Sequence, residues 1–257
     1  VKHLGASSVT VISRSGDDNY SNLSRHADAD IIVNTTPVGM YPHEAESPIS
    51  LDTFTSPSAL LDLIYNPLRT KLLLQAQEMG IPCCNGLEML VAQAKYAAEL
   101  FLDREIPDSE ISRVHRKLCV QMENIALIGM PSCGKTTLGR LLAKSLGRTF
   151  VDLDEEIVKT DGRSIPDIFS AEGEDGFRAR ESAQTARFAK EGRQLLSCGG
   201  GIIKRGENLR ALHQNGVVLF IDRPLDALTV GGGRPLSSST EALKKMEAER
   251  RPLYLAA

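Results

Sequence analysis

The run Gly129-Met-Pro-Ser-Cys-Gly-Lys-Thr136 has the G-x-x-x-x-G-K-[ST] spacing of a phosphate-binding loop. Its glycines let backbone N–H groups turn toward an anion, and a helix starting behind the loop adds its positive end. Lys135 can reach the outer phosphates of a nucleoside triphosphate, and the Thr136 hydroxyl is a hard oxygen ligand for Mg²⁺. Gly129, Ser132, Cys133, Gly134, Lys135, Thr136 and Thr137 are therefore the candidate ATP contacts. The chemistry indicated is phosphoryl transfer, which also needs positive charge at the transferred group and a positioned acceptor.

Other residues could supply those needs. Thr149-Phe-Val-Asp-Leu-Asp154 reads as a short strand ending in two carboxylates. Alternation places Asp152 and Asp154 on one side, at the strand end where open α/β sheets bind ligands. Asp152 would then assist Mg²⁺, and Asp154 would hold or deprotonate an acceptor hydroxyl; a solvated turn is the alternative. In Phe177-Arg-Ala-Arg-Glu181, Arg178 offers a fork for a planar carboxylate, with Glu181 one helical turn on to orient it. A solvated helical pair is the competing explanation. Leu195-Leu-Ser-Cys-Gly-Gly-Gly201 is a strand followed by glycines that allow close backbone approach. The polar, Gly-rich stretch around Gly231-Gly-Gly-Arg-Pro235 reads as a mobile flap that could close Arg234 over the phosphates. Arg250, in Glu249-Arg-Arg-Pro252, is a further cation.

These residues need a scaffold. Asn124–Ile128 is an apolar run suited to a buried parallel strand, and residues 137–146 carry leucines at helical spacing. Val217–Ile221 is a further core strand. Upstream, strands are expected at Ser8–Ser13, Ala29–Asn34 and Ala59–Ile64. Helices are expected at Thr70–Met79, closed by Gly80, at Leu87–Phe101, and at Ser109–Glu123 behind Asp108 or Ser109. This alternation implies an α/β protein with parallel sheets, in two segments that meet near residues 123 and 124.

The chain has 257 residues, 42% hydrophobic and 25% charged, and no Trp; its net charge of −3 argues against a general nucleic-acid or anionic-membrane surface. No apolar run has the length of a membrane span, and no signal peptide is visible. The cysteines Cys83, Cys84, Cys119, Cys133 and Cys198 lack zinc spacing, so reduced thiols and a cytoplasmic location are expected. The chain opens at Val1 inside what reads as a helix tail and stops at Ala257 without a closing strand, as expected of a fragment.

Residues 124–257 resemble shikimate kinase, a small kinase of nucleoside-monophosphate-kinase-like fold. Gly129–Thr137, Asp152-Leu-Asp154, Gly162-Arg-Ser-Ile165, Phe177-Arg178 with Glu181, Gly199-Gly-Gly201, Arg234-Pro-Leu236 and Arg250-Arg-Pro-Leu-Tyr254 occur in that family's order. The resemblance implies that Asp154, Arg178, Gly200 and Arg250 contact shikimate, in a pocket shared with Phe177, Glu181, Gly199 and Gly201. Arg178 and Arg250 would take its carboxylate, Asp154 its hydroxyls. Lys135, Asp154 and Arg234 would be catalytic, Arg234 as the lid arginine. One departure is that Ala227-Leu-Thr-Val230 stands where such kinases often carry an arginine that lies against adenine.

Residues 1–123 resemble the C-terminal, NADP-binding half of shikimate dehydrogenase, a partial Rossmann-type sheet. The motifs are Asp30-Ile-Ile-Val-Asn-Thr-Thr-Pro-Val-Gly-Met40, Asp62-Leu-Ile-Tyr-Asn-Pro67 and Asn85-Gly-Leu-Glu-Met-Leu-Val-Ala-Gln93. The resemblance implies that Arg14 meets the ribose 2′-phosphate of NADP, that Thr36, Ile64 and Gly86 line the nicotinamide side, and that Tyr65 and Gln93 face shikimate. That family's glycine-rich turn and catalytic Lys and Asp would precede Val1, so this chain as given is not expected to oxidise shikimate. The expected protein is thus a shikimate kinase fused behind dehydrogenase sequence, acting on small molecules with ATP and Mg²⁺. A kinase for another sugar acid and a nucleotide-binding module without catalysis are the alternatives.

Overall fold

The computed structural model describes residues 5–228 and 240–257. The chain divides into two compact units, residues 1–106 and 107–257. In the first unit β1 (Ile31–Asn34), β2 (Ala59–Asp62) and β3 (Cys83–Cys84) form a parallel sheet in that order. Helix α1 (Lys71–Glu78) starts at Thr70, whose hydroxyl accepts the Leu73 N–H at 3.2 Å. It stops before Gly80, which lies in the left-handed region at φ 69°. Its Leu72, Leu73 and Ala76 pack with Ile32, Phe54 and Leu60 as the unit's core. Helix α2 (Leu87–Leu102) follows β3.

The strand expected at Ser8–Ser13 is not formed. That stretch contributes only an isolated bridge between Ser13 and Asn19, and Val9 and Val11 are exposed. β-branched alternation supplies propensity, but a strand needs a partner for its backbone groups, and none pairs with it among the described residues.

The second unit begins with α3 (Ser109–Met122), followed by β4 (Asn124–Ile128), α4 (Lys135–Leu146), β5 (Thr149–Asp152), α5 (Leu153–Asp161) and α6 (Ile165–Ala189). Then come β6 (Gln194–Ser197), α7 (Gly206–Gln214), β7 (Gly216–Phe220) and α8 (Thr240–Leu255). The strands are parallel, in the order β5-β6-β4-β7. Both faces of the central strand β4 are covered. Leu127 packs with Leu195 and Ala143 in one cluster; Ala126 and Ile128 join Leu196, Phe188 and Leu212 in another. Each buried Leu or Ile among them contributes about 2 kcal/mol, so the strand ends that carry the site are held firmly. Helix α6 is broken at Gly173, whose φ of 71° and ψ of −169° are non-helical. Phe169 and Phe177 meet across that break with ring centroids 4.9 Å apart.

Candidate active site

An open cavity of about 750 Å³ lies at the carboxyl ends of β4, β5 and β6. Its walls include Ser132, Gly134, Lys135, Thr136, Thr137, Asp152 and Asp154, and, facing them, Phe177, Arg178, Glu181, Gly199, Gly200, Gly201 and Arg250. Gly129 and Cys133 complete the loop behind this wall; the Cys133 thiol is buried, 3.6 Å from the Lys135 Nζ. Every site residue expected of the second unit is thus gathered at one place, except Arg234 and its neighbours 231–233, which lie outside the described residues.

The phosphate loop turns where its sequence allows. Gly129 and Gly134 have φ of 145° and 98°. Lys135 folds back over the loop, its ammonium donating to the carbonyls of Gly129 and Met130 at 2.9 Å each. Thr136 Oγ1 donates to Asp152 Oδ2 at 2.9 Å and lies 3.4 Å from Ser197 Oγ. Two hard oxygens from different elements therefore converge on the cavity wall, a donor set that fits Mg²⁺, which takes few protein ligands and completes its shell from phosphates and water.

Asp154 departs from expectation in its local setting. The strand ends at Asp152, which caps α5 by accepting the Asp154 N–H at 3.1 Å. Asp154 is thus in the first turn of a helix, and strand alternation is not what brings the two carboxylates to one cavity. The cap does so, because Asp152 satisfies a helix N–H that would otherwise be orphaned.

Opposite lies a buried ion pair. Arg178 Nη1 donates to Glu181 Oε2 at 2.7 Å, one helical turn apart on α6. A second carboxylate, Glu174 Oε1, accepts from Arg178 Nε at 3.2 Å and Nη2 at 3.0 Å. Burial works against the charge of Arg178, but Glu181 and Glu174 outweigh it and raise its pKa. Burial pushes the Glu181 carboxyl up, with Arg178 offsetting part of the rise and the Asp154 charge adding to it. Burial likewise raises the Cys198 thiol, which leaves it a packing residue.

The three glycines after β6 form the floor between these groups. A Cβ on Gly199 would come within 2.7 Å of Glu181 and 3.0 Å of Asp154; one on Gly200 would crowd Pro131 at 3.0 Å. One on Gly201 would lie 2.1–2.3 Å from the Arg178 guanidinium, so a side chain there would force the guanidinium out of its place. Arg250 Nη1 donates to the Gly200 carbonyl at 2.9 Å, and the Tyr254 hydroxyl donates to the same oxygen. Tyr254 stacks on Phe220 with centroids 5.0 Å apart, and burial raises its pKa to about 12. Sequence reasoning missed Ser197, Glu174 and Tyr254. A helical i, i+4 spacing to Arg178 was the available signal for Glu174; Tyr254 was marked only as the end of the Arg250–Tyr254 motif, with no role, and Ser197 carried no signal.

In the first unit the carboxyl ends of β1 and β2 are joined through a buried carboxylate. Asp62 accepts from Asn34 Nδ2 at 3.0 Å, the Ile64 N–H at 3.1 Å and Thr70 Oγ1 at 2.6 Å. Asn34 Oδ1 in turn accepts the N–H and hydroxyl of Thr36 at 3.0 and 2.8 Å. Burial raises the Asp62 carboxyl, with these donors holding part of the rise back. The Gly86 N–H donates to the Ile64 carbonyl at 3.1 Å, and a Cβ there would sit 2.0 Å from the Leu63 carbonyl oxygen. Thr36, Ile64 and Gly86 are therefore linked along one sheet edge. Tyr65 and Gln93 are exposed, and Arg14 is exposed in the loop framed by Ser13 and Asn19.

The family model for shikimate kinase matches residues 131–257. The shikimate kinase of Symbiobacterium thermophilum is 44% identical over 140 residues, which cover 51% of this chain and 80% of that one. The solved shikimate kinase from Acinetobacter baumannii in complex with shikimate is similar at 37% identity and a TM-score of 0.52, covering 55% of this chain and 82% of that one. Shikimate dehydrogenase 1 from Peptoclostridium difficile is similar at 38% identity and a TM-score of 0.39, over 42% of this chain and 44% of that one. Through its second unit, the chain belongs to the shikimate kinase family.

Proposed function

We propose that the second unit transfers the γ-phosphoryl group of ATP to the 3-hydroxyl of shikimate, giving shikimate 3-phosphate and ADP. One observation carries this reading. A single cavity has a phosphate loop on one side and a buried guanidinium, Arg178, on the other, with Asp154 between. The loop amides of Ser132–Thr137 and Lys135 hold the phosphates, with Lys135 leaving its loop carbonyls to do so. Arg178 and Arg250 take the carboxylate of shikimate, and Phe177 and the glycine floor shape the ring seat. Asp154 orients the attacking hydroxyl and accepts its proton as the new O–P bond forms. The bond from the γ-phosphorus to the bridging oxygen breaks, and the charge leaves on ADP. Thr136 and Asp152 would hold Mg²⁺, which when bound spreads the charge of the β- and γ-phosphate oxygens. Arg234 is assigned to the phosphates from sequence alone.

The test is ADP release by protein from the whole open reading frame, with shikimate, gluconate or no acceptor, beside Lys135→Ala. Shikimate-dependent release that collapses in the variant is expected. Equal release with gluconate would sink the assigned acceptor, and nucleotide binding without turnover would sink catalysis.

For residues 1–123 we propose the NADP-binding part of a shikimate dehydrogenase, with the functional boundary at Glu123 and Asn124. Thr36, Ile64 and Gly86 lie on the carboxyl edge of a parallel sheet, where dinucleotides bind. Arg14 would take the 2′-phosphate, and Tyr65 and Gln93 would face shikimate. Arg14→Ala should weaken NADP⁺ more than NAD⁺ in a binding titration, and equal weakening would refute that role. The five cysteines form no disulfide, which suits the cytoplasmic location we propose. No described helix is long and apolar enough to cross a membrane.

A further inference from the structure

Arg178 is gripped by more negative charge than it carries. Glu181 takes one N–H of Nη1, and Glu174 takes Nε–H and one N–H of Nη2. The second N–H of each terminal nitrogen is left for an acceptor carboxylate. Two carboxylates on one guanidinium would, however, more than cancel its charge and leave Arg250 alone to attract an anion, against the Asp154 carboxylate in the same cavity. Lys204 corrects the balance. It ends the short 3-10 helix Ile202–Lys204 that follows the glycine floor, and its ammonium donates to Glu174 Oε1 at 2.8 Å. One oxygen of Glu174 thus receives both the guanidinium and the ammonium. Lys204 does not line the cavity.

We propose that Lys204 and Glu174 form a positioning relay that sets the affinity for the acceptor. Glu174 fixes the plane of the Arg178 guanidinium, and Lys204 neutralises Glu174 so that the guanidinium keeps its attraction for the acceptor's carboxylate. Lys204 is a positioning residue that touches neither substrate. The pull of Lys204 on Glu174 is also seen in the lowered pKa of that carboxyl. This inference rests on the assignment of Arg178 to the acceptor carboxylate.

The test is a double-mutant cycle read by steady-state kinetics. Lys204→Met should raise KM for shikimate about fivefold, the upper end for a partly exposed ion pair, with kcat and KM for ATP unchanged. Lys204→Arg should restore a KM close to wild type. In a Glu174→Gln background, Lys204→Met should change KM little, because no charge remains to be neutralised. An equal rise in both backgrounds, or a parallel rise in KM for ATP, would overturn the relay while leaving the kinase reading intact. A wild-type protein without shikimate-dependent ADP release would overturn that reading, and the relay's purpose with it.

Discussion

The guanidinium of Arg178 rests on the backbone of Gly201 so closely that a β-carbon at 201 would lie 2.1 Å from Nη2. Glycine here is a spatial requirement of the arginine. Gly201→Ala should displace the guanidinium and raise KM for shikimate about tenfold or more, with KM for ATP little changed. Steady-state kinetics on both substrates check this, and an unchanged KM for shikimate would remove Arg178 from the acceptor site.

Thr136 and Asp152 share a hydrogen bond of 2.9 Å at the proposed metal position. Thr136→Val keeps the side chain's shape and removes its oxygen. The Mg²⁺ concentration for half-maximal activity should rise about tenfold or more, with KM for shikimate unaffected. A Mg²⁺ titration that superimposes on wild type would exclude Thr136 as a ligand.

Glu181 is buried, and burial raises its carboxyl above the usual 4.5. The folded state therefore holds this proton more tightly than the unfolded chain does. Stability from the group is fully present below pH 4.5 and is lost as pH rises through the raised folded value. Thermal unfolding of wild type and Glu181→Gln across this window should show a stability difference, wild type minus variant, that declines with pH and then levels off. A difference that rises with pH would show that the pairing with Arg178 outweighs burial.

Asp62 joins β1, β2 and the start of α1 through three donors. Asp62→Asn turns an accepting oxygen into an amino group that faces those donors. A loss of about 1–3 kcal/mol is expected. Hydrogen exchange should show it as weakened protection of the amides in Ile31–Asn34 and Ala59–Ile64, with β4 and β6 unaffected. Unchanged protection in the first unit would show that the network is dispensable.

The phosphate loop was legible in the sequence because strand, glycine turn and helix are each local and agree with one another. Arg178 with Glu181 was legible because helical spacing alone brings them together. Asp152 and Asp154 were recognised as a pair for a reason that does not hold: alternation along a strand was expected, and a helix cap joins them. The separate duties of Gly199, Gly200 and Gly201 were not legible, because each depends on a side chain from a distant element that only the fold brings near. Tyr254 meets Gly200 across 54 residues, and Ser197 meets Thr136 across 61. Ser8–Ser13 shows the opposite failure, a sound local pattern with no strand to pair with among the described residues.

The loop that receives the nucleotide already holds its own cation. Because Lys135 is bonded to the carbonyls of Gly129 and Met130, binding ATP is an exchange in which phosphate oxygens replace amide oxygens around one ammonium. The enthalpy of that step is a difference between two sets of bonds, smaller than the contacts of the complex suggest. The same exchange runs in reverse when ADP leaves. The loop then recaptures the charge as the product departs, and no bare ammonium has to wait in the cavity for water.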